Sequence, residues 1–491
     1  MRGAFARETA ALQRGAHNSP RIGDAGGIQP PVLCFTTYMP DSKHYMDMCE
    51  GPLLGKMIRF AVPYFCSNVL QLLFHAADLI VVGRYASHQA MAAIGSTSSL
   101  TILCINILLG LSVGSSVISS QFYGAKKYKS LERTIHTAML VAIFGGLFMA
   151  LFGLLFSHAM LKQMGSPDDV IGKSTLYMQI IFGGMMFQML YNYGSAILRA
   201  VGDTKRPLYY LSFAGIVNVV LNLFFVIRLN MDVAGVAIAT VISHAISAVL
   251  VWNAIRTGDE SFHLDFHKVA MDWSIFKRML SIGVPAGLQG ACFSFSNIVV
   301  QSSVNSFGSI VMAGNAAAMS VEGMVYIGSA CFHFTSLSFV GQNFGGKQYA
   351  RISKCIIYAL ILVSILCETM GLGCYFFGKQ ILSIYNPDPD VIIWGLKRMS
   401  ILFTTYALCG MMDVVCGALR GLGYSTVPFL LTFFSVCVMR VVWIGTVFRV
   451  HRTIPVLMLS YPISWILATL TNGILLYYAC KRLNKAKRRI V

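Results

Sequence analysis

Apolar residues run along this chain in blocks of about twenty, separated by short polar breaks. "FGGLFMALFGLLF" (144–156), "LSFAGIVNVVLNLFFVI" (211–227) and "VAGVAIATVISHAISAVLVW" (233–252) belong to such blocks. A helix rises about 1.5 Å per residue and a bilayer core is about 30 Å thick, so each block is long enough to cross it. A membrane β-barrel would need shorter strands alternating apolar and polar residues, and these blocks do not alternate. The pattern predicts an all-α polytopic membrane protein of about twelve transmembrane helices. They start near Met57, Ala90, Ile135, Lys173, Leu208, Val233, Ile275, Val311, Ile356, Val391, Val427 and Pro455. The longest polar interval, "RTGDESFHLDFHKVAMDW" (256–273), marks a linker. The predicted organisation is an N-terminal lobe over 51–255, a linker over 256–274, a C-terminal lobe over 275–480 and a basic tail over 481–491.

Composition agrees with that class. The chain is 56% hydrophobic and 12% charged, against about 25% charged in soluble domains. Its net charge of +18 changes the picture only through its distribution. Lys126, Lys127, Lys129, Arg133, Lys205, Arg206, Lys277, Arg278, Lys347, Arg351 and the tail "KRLNKAKRR" fall on alternate loops, while the other loops carry fewer basic residues. This is the positive-inside bias, which predicts a multi-pass protein of the cell membrane with both termini in the cytoplasm. The tail then meets anionic lipid head groups, not nucleic acid. Residues 1–50 contain scattered arginines and no apolar core of signal-peptide kind. They read as an extension that is disordered or, before Met46, not translated.

Other chemistry is excluded by spacing. The thirteen cysteines are scattered through apolar blocks without a CxxC pair or metal-ligand spacing, so they read as packing residues. No phosphate-binding GxxxxGK[ST] motif occurs, which argues against an ATP-driven pump. No sizeable loop carries a convergent catalytic cluster, so the chain does not read as an enzyme or as one needing an organic cofactor.

The two halves repeat one another. "AILRAVGDTKRP" (196–207) returns as "GALRGLGYSTVP" (417–428), and "QFYGAKKY" (121–128) returns as "QNFGGKQY" (342–349), both 221 residues later. "MIRFAVP" (57–63) likewise resembles "MLSIGVP" (279–285). If both copies of the basic phrases lie on one side, each repeat holds an even number of spans, about six. Parallel repeats of this kind are related by an axis along the membrane normal and enclose a cavity between them.

The stretch "AADLIVVGRYASHQAMAAIGSTSSL", followed by "GSAILRAVGDTKRP", "NVVLN" with "GVAIAT", and "MDVVCGALRGLG", resembles the multidrug and toxic compound extrusion (MATE) family, bacterial type, over about residues 50–480. The resemblance implies two six-helix lobes. It also implies export of organic compounds, cationic ones here, in exchange for H⁺ or Na⁺ by alternating access. The matching first-helix acid, Asp78, is implied to bind the coupling ion or proton, with partners Asn218, Asn222 and Thr240 from spans five and six. Some relatives carry an acid where Asn222 stands, so the amide removes a charge from any Na⁺ site and H⁺ is the preferred ion.

An acid in mid-membrane costs about 2.5–3.5 kcal/mol, so Asp78, Glu322 and Asp413 each need a reason. His75, one turn before Asp78, is placed to tune its titration. Glu322 and Asp413 are expected to attract cationic substrate in the second half, whereas Asp203 and Asp232 read as solvated loop acids. Asn192, the repeat partner of Asp413, is expected to line the substrate cavity with Gln188, Gln289 and Gln301. Met-rich phrases such as "GGMMFQMLYNY" (183–193) would add adaptable apolar walls. The chain is expected to work as a monomer in the bilayer. An alternative reading is a lipid-linked oligosaccharide flippase of the same broad superfamily. That function would want several embedded arginines, and the sequence offers mainly Arg440.

Overall fold

The computed structural model describes residues 45–85, 87–165, 167–258, 264–265 and 268–488. The expectations for residues 1–44 and for most of the polar part of the linker lie outside the described residues. Twelve long helical segments follow one another. In the first half these are α1 (Leu53–Tyr85), α2 (His88–Gly124), α3 (Tyr128–Gln163), α4 (Asp168–Gly183 and Met185–Ala200), α5 (Lys205–Leu223) and α6 (Asp232–Arg256). The second half holds α7 (Trp273–Asn305), α8 (Ser309–Gly345), α9 (Tyr349–Phe376), α10 (Pro389–Leu402 and Tyr406–Gly421), α11 (Thr426–Thr432 and Met439–Gly445) and α12 (Ile454–Arg488). Among the described residues, ten helices are long and apolar enough to cross a membrane by length and composition. α4 and α7 are not among them. The first is interrupted at Gly184, and the second carries Gln289, Asn297 and Gln301 within its length. Large apolar side chains face outward on α3 at Phe144, Phe148, Leu151 and Leu155. That spacing of three and four puts them on one helix face, turned to lipid in this multi-pass membrane protein.

The repeat seen in the sequence is a repeat of backbone geometry. Lys126 and Lys347 both adopt positive φ, 55° and 57°, and so do Gly202 and Gly423, 93° and 95°. Each ends a helix in the left-handed conformation and returns the chain toward the next span. α5 ends in a π-helical turn at Phe224–Arg228, and α11 is interrupted by one at Phe433–Val438.

The lobes are joined at one end by a reciprocal clasp. Gln121 on α2 donates to the Gly421 carbonyl at 2.8 Å, and its repeat partner Gln342 on α8 donates to the Ala200 carbonyl at 2.7 Å. Gly124 and Gly345 allow the two helix ends to cross. A methyl on the first would strike the backbone of Gln342, and one on the second the backbone of Gln121. A strap over residues 45–51 covers this end. Met46 N donates to Val201 O at 3.2 Å, Met48 N donates to Gln342 Oε1 at 3.0 Å, and Arg351 donates to the carbonyls of Met48, Glu50 and Gly51.

Small residues continue the contact as far as mid-helix. Gly110 and Gly114 on α2 press against Gly287 and Met279 on α7, and Gly283 meets Leu111. Farther along, Gly290 lies beside Asn106. Among the described residues, the hydrogen bonds, ring contacts and close approaches between lobes stop there. The two lobes therefore make a V, closed at the strap end and open at the other.

Candidate functional site

Asp78 lies in the outer half of α1, toward the open end. Its carboxylate accepts a hydrogen bond from Asn222 Nδ2 on α5. Asn222 Nδ2 also donates to Asn218 Oδ1 at 3.2 Å, Asn218 Nδ2 donates to Thr240 Oγ1 at 3.4 Å, and Thr240 donates to its own helix at Val236 O, 2.9 Å. All four residues proposed from the sequence thus form one connected chain across α1, α5 and α6. Asn218 and Asn222 are four residues apart on α5, which puts them on one face, and both are buried. The π-helical turn of α5 begins just after them, at Phe224; such turns occur often at functional sites. Asn222 Oδ1 is buried without a donor, so the network has one free acceptor beside the acid.

His75 is not part of this network. It is exposed and has no hydrogen bond to Asp78. Asp203 and Asp232, expected as solvated acids, are engaged. Asp203 is buried, caps the start of α5 through the N–H groups of Lys205 and Arg206, and pairs with the Arg206 side chain. Asp232 holds Lys173 at 2.7 Å and also accepts from Ser87.

The second-half acids differ from expectation in a way that matters for substrate charge. Glu322 is paired with Arg398 at 2.5 Å, and Arg398 also donates to Asn315 Oδ1 at 2.8 Å. It stands well inside α8. Asp413 is buried, accepts from Ser329 Oγ at 2.7 Å, and its backbone carbonyl is bonded to His333 Nδ1 at 2.8 Å. Glu322 is thus charge-paired, whereas Asp413 is buried with a hydroxyl as its side-chain partner.

The polar cavity candidates also separate. Gln289 is buried and accepts from Arg420 at 2.8 Å. Gln301 accepts from Asn315 at 2.7 Å and donates to Asn305 at 2.8 Å, both within the C-terminal lobe. Gln188 and Asn192 are half-buried. The expected Met-rich walls are partly core, since Met185, Met189 and Met412 are buried.

Sequence reasoning named one embedded arginine, Arg440, and missed two more, Arg398 and Arg420. Arg398, Arg420 and Arg440 are all buried in the C-terminal lobe. Arg440 stacks on Tyr461 with its guanidinium carbon 3.9 Å from the ring centroid, and donates to Ser464 at 3.2 Å and Asn297 at 3.2 Å. Arg420 and its repeat partner Arg199 fall within the repeated basic phrases, whose glycines and prolines mark turns between spans. Both sit in the last turn of a helix, where side chains lean toward the helix N-terminus and hence into the membrane. Charge inside an apolar block was the available signal, but Arg398 followed the predicted start of span ten closely enough to pass for an interfacial residue.

Comparison with known proteins agrees with this architecture. The MatE family model matches residues 63–224 and 285–444, one stretch in each lobe. "Probable multidrug resistance protein YoeA" of Bacillus subtilis is 28% identical over 387 residues, covering 77% of this chain and 84% of that protein. "FAD transporter" of Shewanella oneidensis is 20% identical, covering 76% of this chain and 83% of that one. A solved structure described as "Outward-facing conformation of a multidrug resistance MATE family transporter of the MOP superfamily" superposes with a TM-score of 0.83 at 18% identity, covering 91% of this chain and 100% of that chain. With the family's model matched in both lobes of a two-lobed twelve-helix membrane protein, the chain belongs to the MatE family and is a transporter, not an enzyme.

Proposed function

We propose that this chain is a secondary active antiporter that exports organic compounds by alternating access, driven by protons that load Asp78. The observation that carries the reading is the hydrogen-bonded chain from Asp78 through Asn222 and Asn218 to Thr240. As a carboxylate, Asp78 accepts from the Asn222 amide. As a carboxylic acid it needs an acceptor, and the free Asn222 Oδ1 supplies one after a flip of that amide. The same flip withdraws Nδ2 from Asn218 Oδ1, so proton loading also turns the Asn218 amide and re-pairs it with Asn222 and Thr240.

Sodium fits less well. The oxygens of Asn218 and Thr240 already accept hydrogen bonds, and a cation would have to break them with only one formal negative charge to hold it. Asp78 is also the acid that attracts a cationic substrate, because Glu322 is neutralised by Arg398 and Asp413 is buried. Substrate cation and proton then compete for one carboxylate, which is the minimal logic of antiport. The basic loops at the closed end support a cytoplasmic orientation for that end and for both termini, with a single chain as the working unit.

Since the network holds one titratable group, each cycle moves one proton. Exchange of one proton for one cationic substrate sets a limit of about tenfold accumulation per pH unit, one unit being 1.36 kcal/mol. In proteoliposomes loaded with a cationic dye, wild type is expected to follow that slope. Asp78→Asn keeps the shape and an acceptor for Asn222, and should reduce pH-driven accumulation to none while the protein stays folded. Undiminished accumulation in Asp78→Asn would remove Asp78 from the mechanism.

A second reading is favoured by one observation. Three buried arginines in the C-terminal lobe suit an anionic substrate such as a lipid-linked sugar phosphate. Each of them is engaged within the lobe, by Glu322, by Gln289 and His333, or by Ser464 and Asn297. Their engagement supports a structural role there, and translocation of a lipid-linked sugar by reconstituted vesicles would reverse the order of the two readings.

A further inference from the structure

One embedded arginine is held by aromatic rings alone. Arg199 stands next to the end of α4 at the floor of the V. Its guanidinium carbon lies 5.1 Å from the ring centroid of Tyr64 on α1 and 5.7 Å from that of Phe334 on α8. Those two rings meet edge to face at 5.5 Å across the lobe boundary. Among the described residues, no hydrogen bond or ion pair reaches the Arg199 side chain. Its Nε is buried without a partner, whereas its two terminal nitrogens are not sealed in.

The closed end of the molecule shuts off the other side. Residues 201–204 are buried, Met46 of the strap bonds Val201, and Gln342 holds the Ala200 carbonyl. The accessible edge of the guanidinium is therefore not on the strap side.

The internal repeat provides a control within the same molecule. Arg420, the partner of Arg199, is filled on both terminal nitrogens. One contacts His333 Nε2 at 3.1 Å and the other donates to Gln289 Oε1 at 2.8 Å. The equivalent positions in the first lobe hold Ser112 and Ser67, in registers fixed by Gln121 against Gln342 and by Pro63 against Pro285. Both serine hydroxyls turn back onto their own helices, to Leu109 O at 2.7 Å and Pro63 O at 2.9 Å. Two long polar side chains in one lobe are thus two short, self-satisfied ones in the other. The same scaffold leaves a charge and room beside it.

We propose that Arg199 is a subsite for the anionic group of an exported aromatic compound, a carboxylate or a phosphate, with Tyr64 and Phe334 supporting the ring. A guanidinium presents its donors in a planar fork that matches such oxygens two at a time. An embedded cation without a hydrogen-bond acceptor or an opposite charge is also the feature that an anionic ligand relieves. This inference rests on the export reading and extends its substrate class to organic anions and to compounds that carry both charges.

The test uses the full chain in lipid nanodiscs, with 2-naphthoate and uncharged 2-naphthalenemethanol as probes and equilibrium dialysis as the readout. Wild type is expected to bind the acid about tenfold or more tightly than the alcohol, and Arg199→Gln to lose that preference. The double variant Ser67→Gln/Ser112→His rebuilds around Arg199 the engagement seen at Arg420. It keeps the charge and should lose the preference as well, and it decides the matter if Arg199→Gln does not fold. Equal affinities in wild type, or a preference that survives both changes, would overturn the subsite. Ethidium export by wild-type proteoliposomes is measured in parallel. Its absence alongside intact naphthoate discrimination would overturn the export reading alone, and its presence without discrimination would overturn this inference alone.

Discussion

Gln342→Leu perturbs the closed end through two hydrogen bonds. Gln342 donates to Ala200 O at 2.7 Å and accepts from Met48 N at 3.0 Å, and the side chain is fully buried. Leucine fills much the same space but strands a carbonyl on one lobe and an N–H on the strap. A buried backbone group without a partner costs about 1–3 kcal/mol, so the closed arrangement loses about 2–6 kcal/mol relative to one in which water reaches both. At 1.4 kcal/mol per tenfold, the open population rises about thirtyfold or more. Cys49 reports it. Its thiol lies 3.4 Å from Gln342 O, and burial together with the neighbouring Asp47 carboxylate pushes its pKa up to about 12. The docked thiol is therefore protonated and slow at pH 8, and a released strap returns it toward the ordinary cysteine value near 8.5. With the other cysteines replaced, maleimide labelling of Cys49 at pH 8 should accelerate at least about tenfold in Gln342→Leu. Spin labels at Lys127 and Gln348 should show a broader, longer distance. Unchanged labelling and unchanged distances would refute the clasp as the element that closes this end.

Removing one partner of a buried ion pair costs about 3–5 kcal/mol. Glu322→Gln should accordingly lower the thermal midpoint and abundance by stranding Arg398, and Glu322→Gln/Arg398→Met should recover most of the loss; a Glu322→Gln protein as stable as wild type would contradict the pairing. Neutral substitutions at Lys126, Lys127, Lys129 and Arg133, three of them on or beside the turn after α2, should reduce membrane insertion before they alter substrate choice, as read from quantitative membrane-fraction blots and dye profiles. A clean change of substrate choice at normal abundance would count against their topological role.

The sequence is most readable where a physical constraint acts over many residues. Twelve helices follow from apolar block length, and the starts expected at Met57, Val233 and Pro455 fall within a few residues of Leu53, Asp232 and Ile454. The repeated phrases led to the clasp, because Gln121 and Gln342 open "QFYGAKKY" and "QNFGGKQY". Asp78 stood out because an acid in an apolar span is costly, while its partners on spans five and six came from the family resemblance, to which the spacing of the α5 amides on one face conforms. The charge balance of the second lobe was not legible, because pairing depends on which helices pack together. Nothing along the chain says that Arg398 on α10 meets Glu322 on α8. Side-chain direction hid Arg199 and Arg420, which look like loop residues by number yet lean back into the membrane.

The central claim is that a proton on Asp78 drives the cycle. It is tested most directly by wild-type protein in proteoliposomes under an imposed pH gradient with Na⁺ absent on both sides. The account predicts dye accumulation in that condition, rising about tenfold per pH unit, with no further increase when a Na⁺ gradient is added. Accumulation that appears only once Na⁺ is supplied would contradict it.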